Sequence, residues 1–302
     1  MSSLMAAVLL LLPLAWALAG IPRMRAGATD AVRPARWSWR ITGASALLYT
    51  LAFNLTFFVQ EVFLVVPKAL TPGLRPTLYH NNHGWEGTHA LAHLFQGTGA
   101  LATLLLGVAA GCWLRRGAAT RAPWQRLGLF WLAFAGIYMA LFQLVLAPLL
   151  PRGDVGLALA WLGVEGAGLT AVGIAALGAV PVVAIWLLRP LMALAASPAR
   201  VATPLARMGF VFRTVTLPAL LACVLIVPYR VPREWIEVAG VPVLVTLTGL
   251  LWLQAAAWRV APGEAAGHAG HAARWPVVGL LLASAALLVF FQAVLRPGIA
   301  FY

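Results

Sequence analysis

Six histidines occur in the chain, and four of them, His80, His83, His89 and His93, fall within fourteen residues. The window from Leu78 reads L-Y-H-N-N-H-G-W-E-G-T-H-A-L-A-H. Imidazole nitrogens together with carboxylate oxygens are the ligand set of zinc, iron and manganese. A helix beginning near Trp85 would put Glu86, His89, His93 and Gln96 at i, i+3, i+7 and i+10, on one stripe. His89 and His93 could then grip one ion, with His80 and His83 closing over it from the loop. In the preceding apolar segment Thr50, Asn54 and Glu61 follow at i, i+4 and i+11, a second face that an antiparallel neighbour would turn toward the first. Glu61 or Glu86 would act as base or further ligand on a metal-polarised water. Asn81 and Asn82 would hold the imidazoles. The expected cofactor is a divalent ion, zinc or iron. Haem fits poorly, because His89 and His93 would point the same way and cannot bind opposite faces of one porphyrin.

The elements that must carry these residues are read from composition. The 302 residues are 62% hydrophobic and 10% charged, against about 25% charged in soluble domains. A water-soluble fold is excluded, and the expected class is all-α: a single polytopic transmembrane bundle over 1–302. Eight apolar stretches of spanning length are expected near 3–20, 41–66, 87–113, 127–150, 156–188, 208–229, 239–258 and 275–296. The fifth is too long for one straight crossing, and Pro181 with the glycines at 163, 166, 168, 173 and 178 suggests a kink or an interfacial portion.

Loop charge sets the orientation. Arg23, Arg25, Arg33, Arg36 and Arg40 follow the first stretch; Arg115, Arg116, Arg121 and Arg126 the third; Arg189, Arg200 and Arg207 the fifth; Arg259 and Arg274 the seventh. These loops should be cytoplasmic, leaving both termini and the histidine window on the outer side of, by expectation, a bacterial inner membrane. An A-x-A site at Ala17–Ala19 mimics a signal peptide, but the positive charges follow the apolar run instead of preceding it. The net charge of +13 therefore reads as topology and lipid-headgroup contact. No basic stripe with interleaved aromatics points to nucleic acid, and Cys112 and Cys223 lack any CxxC spacing.

Other polar residues in apolar stretches need partners. Glu165 is expected deep in the fifth stretch, where it would be protonated, hydrogen-bonded or part of the same cavity as Glu61. Arg213 would snorkel, and Lys68, the one lysine among twenty-one basic residues, would be an interfacial cation. Glu234, Trp235 and Glu237 could form an interfacial lid, and His268 and His271 fall in a Gly- and Ala-rich linker. Gln60, Gln143 and Gln292 each stand between an aromatic and a proline, a faint sign of a duplicated hairpin.

The layout of histidines and acids near one face resembles that of membrane-embedded metallohydrolases, although HExxH is absent, as are the three His boxes of di-iron lipid desaturases. The leading expectation is a metal-dependent membrane hydrolase or oxidoreductase acting on a lipid or lipid-like substrate. The alternatives are a metal- or proton-coupled transporter, which would need a polar route to the cytoplasm through Glu165 and Arg213, or a structural or electron-transfer subunit of a membrane complex.

Overall fold

The computed structural model describes residues 2–26, 38–116, 121–195, 198–260 and 275–302. Arg33, Arg36, Arg274, His268 and His271, used above as topology or linker signals, lie outside the described residues. The described residues are mostly helical, in the order α1 (Ser2–Ala19), α2 (Ile21–Ala26), α3 (Trp39–Ala69), β1 (Arg75–Leu78), β2 (His83–Glu86), α4 (Thr98–Arg115), α5 (Pro123–Leu146), α6 (Asp154–Trp161), α7 (Gly166–Met192), α8 (Pro204–Val211), α9 (Leu217–Arg230), α10 (Val241–Ala256), α11 (Val277–Val289) and β3 (Ile299–Ala300). A π-helical turn, Phe212–Thr216, joins α8 to α9, and another, Phe290–Leu295, extends α11.

Among the described residues seven helical segments are long and apolar enough to cross a membrane, against the eight expected. The segment not among them is the first, where α1 contains Pro13 and gives way at Gly20 to the six-residue α2. A side chain at Gly20 would meet the Trp258 ring at 2.8 Å, so the turn is fixed by close packing. The long fifth stretch resolves into α6 and α7, with Gly163 at φ +74° in the turn between them and Gly166 at φ +53° opening α7, values that a right-handed helix does not hold in its interior. Pro181 stays inside α7.

The core sits around α5, where 78% of the most apolar window is buried inside the protein, against 11% for the peripheral α11 segment. Tyr49 and Phe53 of α3, Phe130, Trp131, Phe134 and Tyr138 of α5 and Trp252 of α10 pack there. Tyr49 and Trp131 have ring centroids 4.4 Å apart, and Trp131 and Phe134 meet edge to face at 5.5 Å. Several buried polar atoms here are paired, Tyr49 OH with Thr246 Oγ1 at 2.7 Å, Trp131 Nε1 to Ser45 Oγ at 3.0 Å, and Ser45 Oγ to the Thr214 carbonyl at 2.6 Å, whereas Trp252 Nε1 has no partner among the described residues. Helices α4 and α5 touch backbone to backbone through small residues, as is common where apolar surroundings give no hydrophobic drive between helices. A Cβ on Gly107 would come within 2.6 Å of Ile137 N, and one on Gly136 within 2.5 Å of the Thr103 carbonyl.

Helix α3 has 31 residues, about 46 Å at 1.5 Å per residue, so it overshoots a hydrocarbon core of about 30 Å. Its C-terminal turns, from Gln60 to Lys68, therefore stand at one end of the bundle. That end is capped by a small antiparallel sheet in the order β2-β1-β3. Leu78 faces His83 across the hairpin, Tyr79 N donates to the Asn82 carbonyl at 2.8 Å, and Thr77 and Leu78 pair with Ala300 and Ile299 of β3.

The expectation that the third span starts near Trp85 is corrected here. Residues 83–86 are strand, Gly87 has φ +90°, and the spanning segment begins only at Leu94. The stripe Glu86, His89, His93, Gln96 is therefore not formed. β-prone residues flanking Asn81-Asn82 and a glycine at positive φ favour a hairpin over the helix that the apolar spacing suggested.

Candidate acid-base site at the hairpin end

Glu61 of α3 and His83 of β2 meet directly, Nδ1 to Oε2 at 2.8 Å, with side chains only 5% and 7% exposed. The other ring nitrogen of His83, Nε2, lies 3.0 Å from Gln96 Oε1, on the 3₁₀ turn Leu94–Gly97 that leads into α4. Lys68, about two turns beyond Glu61 on α3 and fully buried, donates to the Leu64 carbonyl at 2.8 Å and to the same Gln96 Oε1 at 3.1 Å.

This network constrains the donor and acceptor roles. A lysine ammonium is donor only, so the amide of Gln96 must turn its oxygen toward Lys68. His83 Nε2 faces that same oxygen and must therefore be the donor. Nδ1 then faces a carboxylate oxygen while Nε2 already carries a proton. For the Glu61 contact to be a hydrogen bond, one further proton must lie between the imidazole and the carboxyl: either imidazolium against carboxylate, or neutral ring against carboxylic acid.

Trp85 closes this arrangement. Its ring stacks against that of His83 with centroids 6.0 Å apart and planes 11° from parallel, and Lys68 Nζ sits 4.7 Å from the Trp85 centroid. Trp85 also lines an open depression together with Gly87, Thr88, His89, Ala90, Ala92 and His93, so one residue belongs both to the depression and to the packing around His83.

Further charges surround the pair. Asp154, at the start of α6, is within electrostatic reach of His83, Glu61 and Lys68. Burial pushes its carboxyl above the usual range, the opposing pull of His83 and Lys68 being weaker. Arg230 at the end of α9 is 3% exposed and lies within electrostatic reach of Glu61 and Glu237. Its guanidinium lies 4.2 Å from the Phe57 ring centroid and Nε donates to the Glu237 carbonyl at 2.7 Å. Gln143 of α5 donates to Gln60 Oε1 at 2.9 Å, so two of the three glutamines of the apparent repeat contact each other.

No family model matches the chain, and no curated protein or solved structure matches it either.

Of the residues singled out in the sequence, the structure brings together Glu61, His83 and Gln96. His80 is buried in the hairpin turn, with neither ring nitrogen hydrogen-bonded. His89 and His93 are exposed, and His89 Nδ1 accepts from Leu91 N at 3.2 Å. Glu86 is exposed at the end of β2 opposite Arg75. Among the described residues no three His, Cys, Asp or Glu side chains are placed to hold one ion, so the four imidazoles do not form the single coordination sphere that a continuous helix would have produced. Asn81 and Asn82 secure the backbone of the hairpin: Asn81 Nδ2 donates to the Arg230 carbonyl at 2.8 Å, and Asn82 Oδ1 accepts from His83 N at 2.6 Å. Asn54 donates to the Thr50 carbonyl. Glu165 is exposed at the N-cap of α7, in the turn between α6 and α7, and is not buried deep in an apolar stretch. Lys68, Trp85, Asp154 and Arg230 were not foreseen as parts of the site. The available signal was that Lys68 is the only lysine and follows Glu61 at i+7 on the same helix face.

Proposed function

We propose that this chain is a multi-pass membrane protein, its hairpin end facing away from the cytoplasm, in which Glu61 and His83 form the acid-base pair of an enzyme acting on a lipid or lipid-like substrate. The observation that carries the reading is the His83 ring held between Glu61 Oε2 and Gln96 Oε1, which leaves one transferable proton in a buried pair. Glu61 is the base, His83 the group that passes the proton, and Gln96 with Lys68 sets the tautomer. Trp85 shields the pair from water until a substrate entering by the depression displaces it. The orientation rests on the arginine-rich loops at the opposite end.

The direct test is ¹⁵N spectroscopy of His83 in the purified protein. Wild type should show a ring protonated at Nε2 with a second proton shared at Nδ1, and Glu61→Gln should return it to an ordinary neutral Nε2–H tautomer. A ring whose signals are unchanged by Glu61→Gln refutes the pairing. Proteoliposomes carrying an internal pH dye separate the enzyme from a proton-coupled transporter: the enzyme reading expects no Glu61-dependent proton flux.

A second reading keeps the divalent metal, zinc or iron, because His89 and His93 line one depression beside Trp85. Metal analysis of the purified protein against a His89→Ala, His93→Ala variant decides it: a stoichiometric ion in wild type that the variant loses supports this reading, and its absence removes it.

A further inference from the structure

His80 is 4% exposed and neither of its buried ring nitrogens has a hydrogen bond of good geometry, the Arg230 carbonyl making at most a weak contact with the ring. An imidazole always carries at least one N–H, so a ring in this state leaves a buried donor without a good acceptor, an arrangement native proteins avoid. The charged groups acting on it are Arg233, Arg230 and Arg296, all cations. Burial first, then these arginines, keeps the ring below its usual pKa.

The arginines are held in place by specific contacts. Arg233 Nε donates to Asn81 Oδ1 at 3.1 Å, next to His80, and the guanidinium lies 5.7 Å from the Tyr79 ring centroid. Its two terminal nitrogens make no hydrogen bond among the described residues. Gln292 donates to the Pro228 and Val231 carbonyls at 2.7 and 2.9 Å, docking the π-helical end of α11 on the same turn, and Arg296 reaches Gln292 Oε1 only at 3.5 Å. Arg233 and Arg296 are both exposed, so their donors are available, whereas Arg230 is committed to Glu237 and Phe57 and contributes charge alone. The acidic side chains of this corner, Glu234 and Glu237, do not figure among the charges acting on His80.

We propose that the His80–Asn81 turn and the Arg230–Arg233 turn, together with Arg296, bind a phosphate-type anion, either an anionic lipid headgroup or free phosphate. The planar guanidinium of Arg233 offers a phosphate two parallel donors, Arg296 adds a second exposed guanidinium within electrostatic reach of His80, and the imidazole N–H of His80 gains a strong acceptor. At the end of a bundle of membrane-length helices, such a site stands at headgroup depth. The site is independent of proton transfer at Glu61 and His83.

The test uses the full chain in phosphate-free buffer. Thermal unfolding is followed while inorganic phosphate is titrated into micelles, and in parallel nanodiscs of phosphatidylcholine alone and of phosphatidylcholine with phosphatidic acid. A saturable rise in Tm is expected, with apparent affinity roughly tenfold weaker in Arg233→Gln, Arg296→Gln and unchanged in an Arg189→Gln, Arg200→Gln control at the opposite end. Stabilisation by phosphate in micelles identifies free phosphate as a sufficient ligand; stabilisation only by phosphatidic acid assigns the site to a lipid headgroup. No saturable rise with either ligand, or equal affinity in the Arg233, Arg296 variant, overturns the proposal.

Discussion

Replacing Glu61 by glutamine keeps the shape of the side chain and removes its charge. The amide introduced there can still hydrogen-bond to His83 Nδ1, so one contact survives, but the proton shared between ring and carboxyl is lost. At 2.8 Å and with both side chains below a tenth exposed, the lost interaction is a charge-assisted hydrogen bond worth about 1.5–3 kcal/mol. Lys68 and Arg230 also lose a nearby counter-charge, so Glu61→Gln should cost more than His83→Gln, which leaves the carboxylate facing both cations. The expected values are about 3 and 2 kcal/mol respectively, and the double variant should fall short of their sum by about 1.5 kcal/mol. Reversible unfolding in mixed micelles, followed by tryptophan fluorescence to which Trp85 contributes through its stacking on His83, gives all four corners of the cycle. Additivity within about 0.5 kcal/mol refutes the pairing, because two residues sharing a buried proton cannot act independently. A larger cost for His83→Gln than for Glu61→Gln refutes the part assigned to Lys68 and Arg230.

Gly107→Leu and Gly136→Leu should each destabilise the protein by about 1–3 kcal/mol, because a Cβ at either position already lies within 2.6 Å of the facing backbone; the loss is read as a fall in Tm with a shift toward aggregates on size exclusion. Stability in phosphate-free buffer should fall as the pH drops below 6.5, the usual value for histidine. His80 is held neutral in the folded state by burial and three arginines, so below that pH the unfolded chain binds a proton the folded one refuses. The slope from this one group approaches about 1.4 kcal/mol per pH unit at most. His80→Phe should flatten it, as measured by unfolding at stepped pH; an unaltered slope would place the titration elsewhere.

The helical architecture was legible because apolar runs of spanning length carry a strong signal, and the seven membrane-length segments all overlap expected stretches. The third began late for a local reason: the spacing of Glu86, His89, His93 and Gln96 suggests a helix from about Trp85, yet Asn81-Asn82 and Gly87 at φ +90° make a hairpin and its exit turn. That one misreading carried the site with it. Helical spacing paired Glu86 with His89 and His93, whereas strand geometry delivers His83 to Glu61 and leaves His89 and His93 at the surface. Glu61 itself was legible as a lone carboxylate in an apolar stretch, which needs a partner wherever it folds. Asp154 and Arg230 were not, because their approach depends on how α6 and the end of α9 pack against α3, and no periodicity within one segment encodes a meeting between distant ones. The glycines of the fifth stretch were correctly noticed, but only positive φ at Gly163 and Gly166 shows where the chain turns.

The third strand of the hairpin sheet comes from residues 299–300 and zips onto residues 77–78. Every helix from α4 to α11 is synthesised between the two halves of that contact. The sheet can therefore be completed only after α11 has left the ribosome, so until then β1 lacks one of its two neighbours and the hairpin that carries His83 is a bare two-stranded ribbon, marginal on its own.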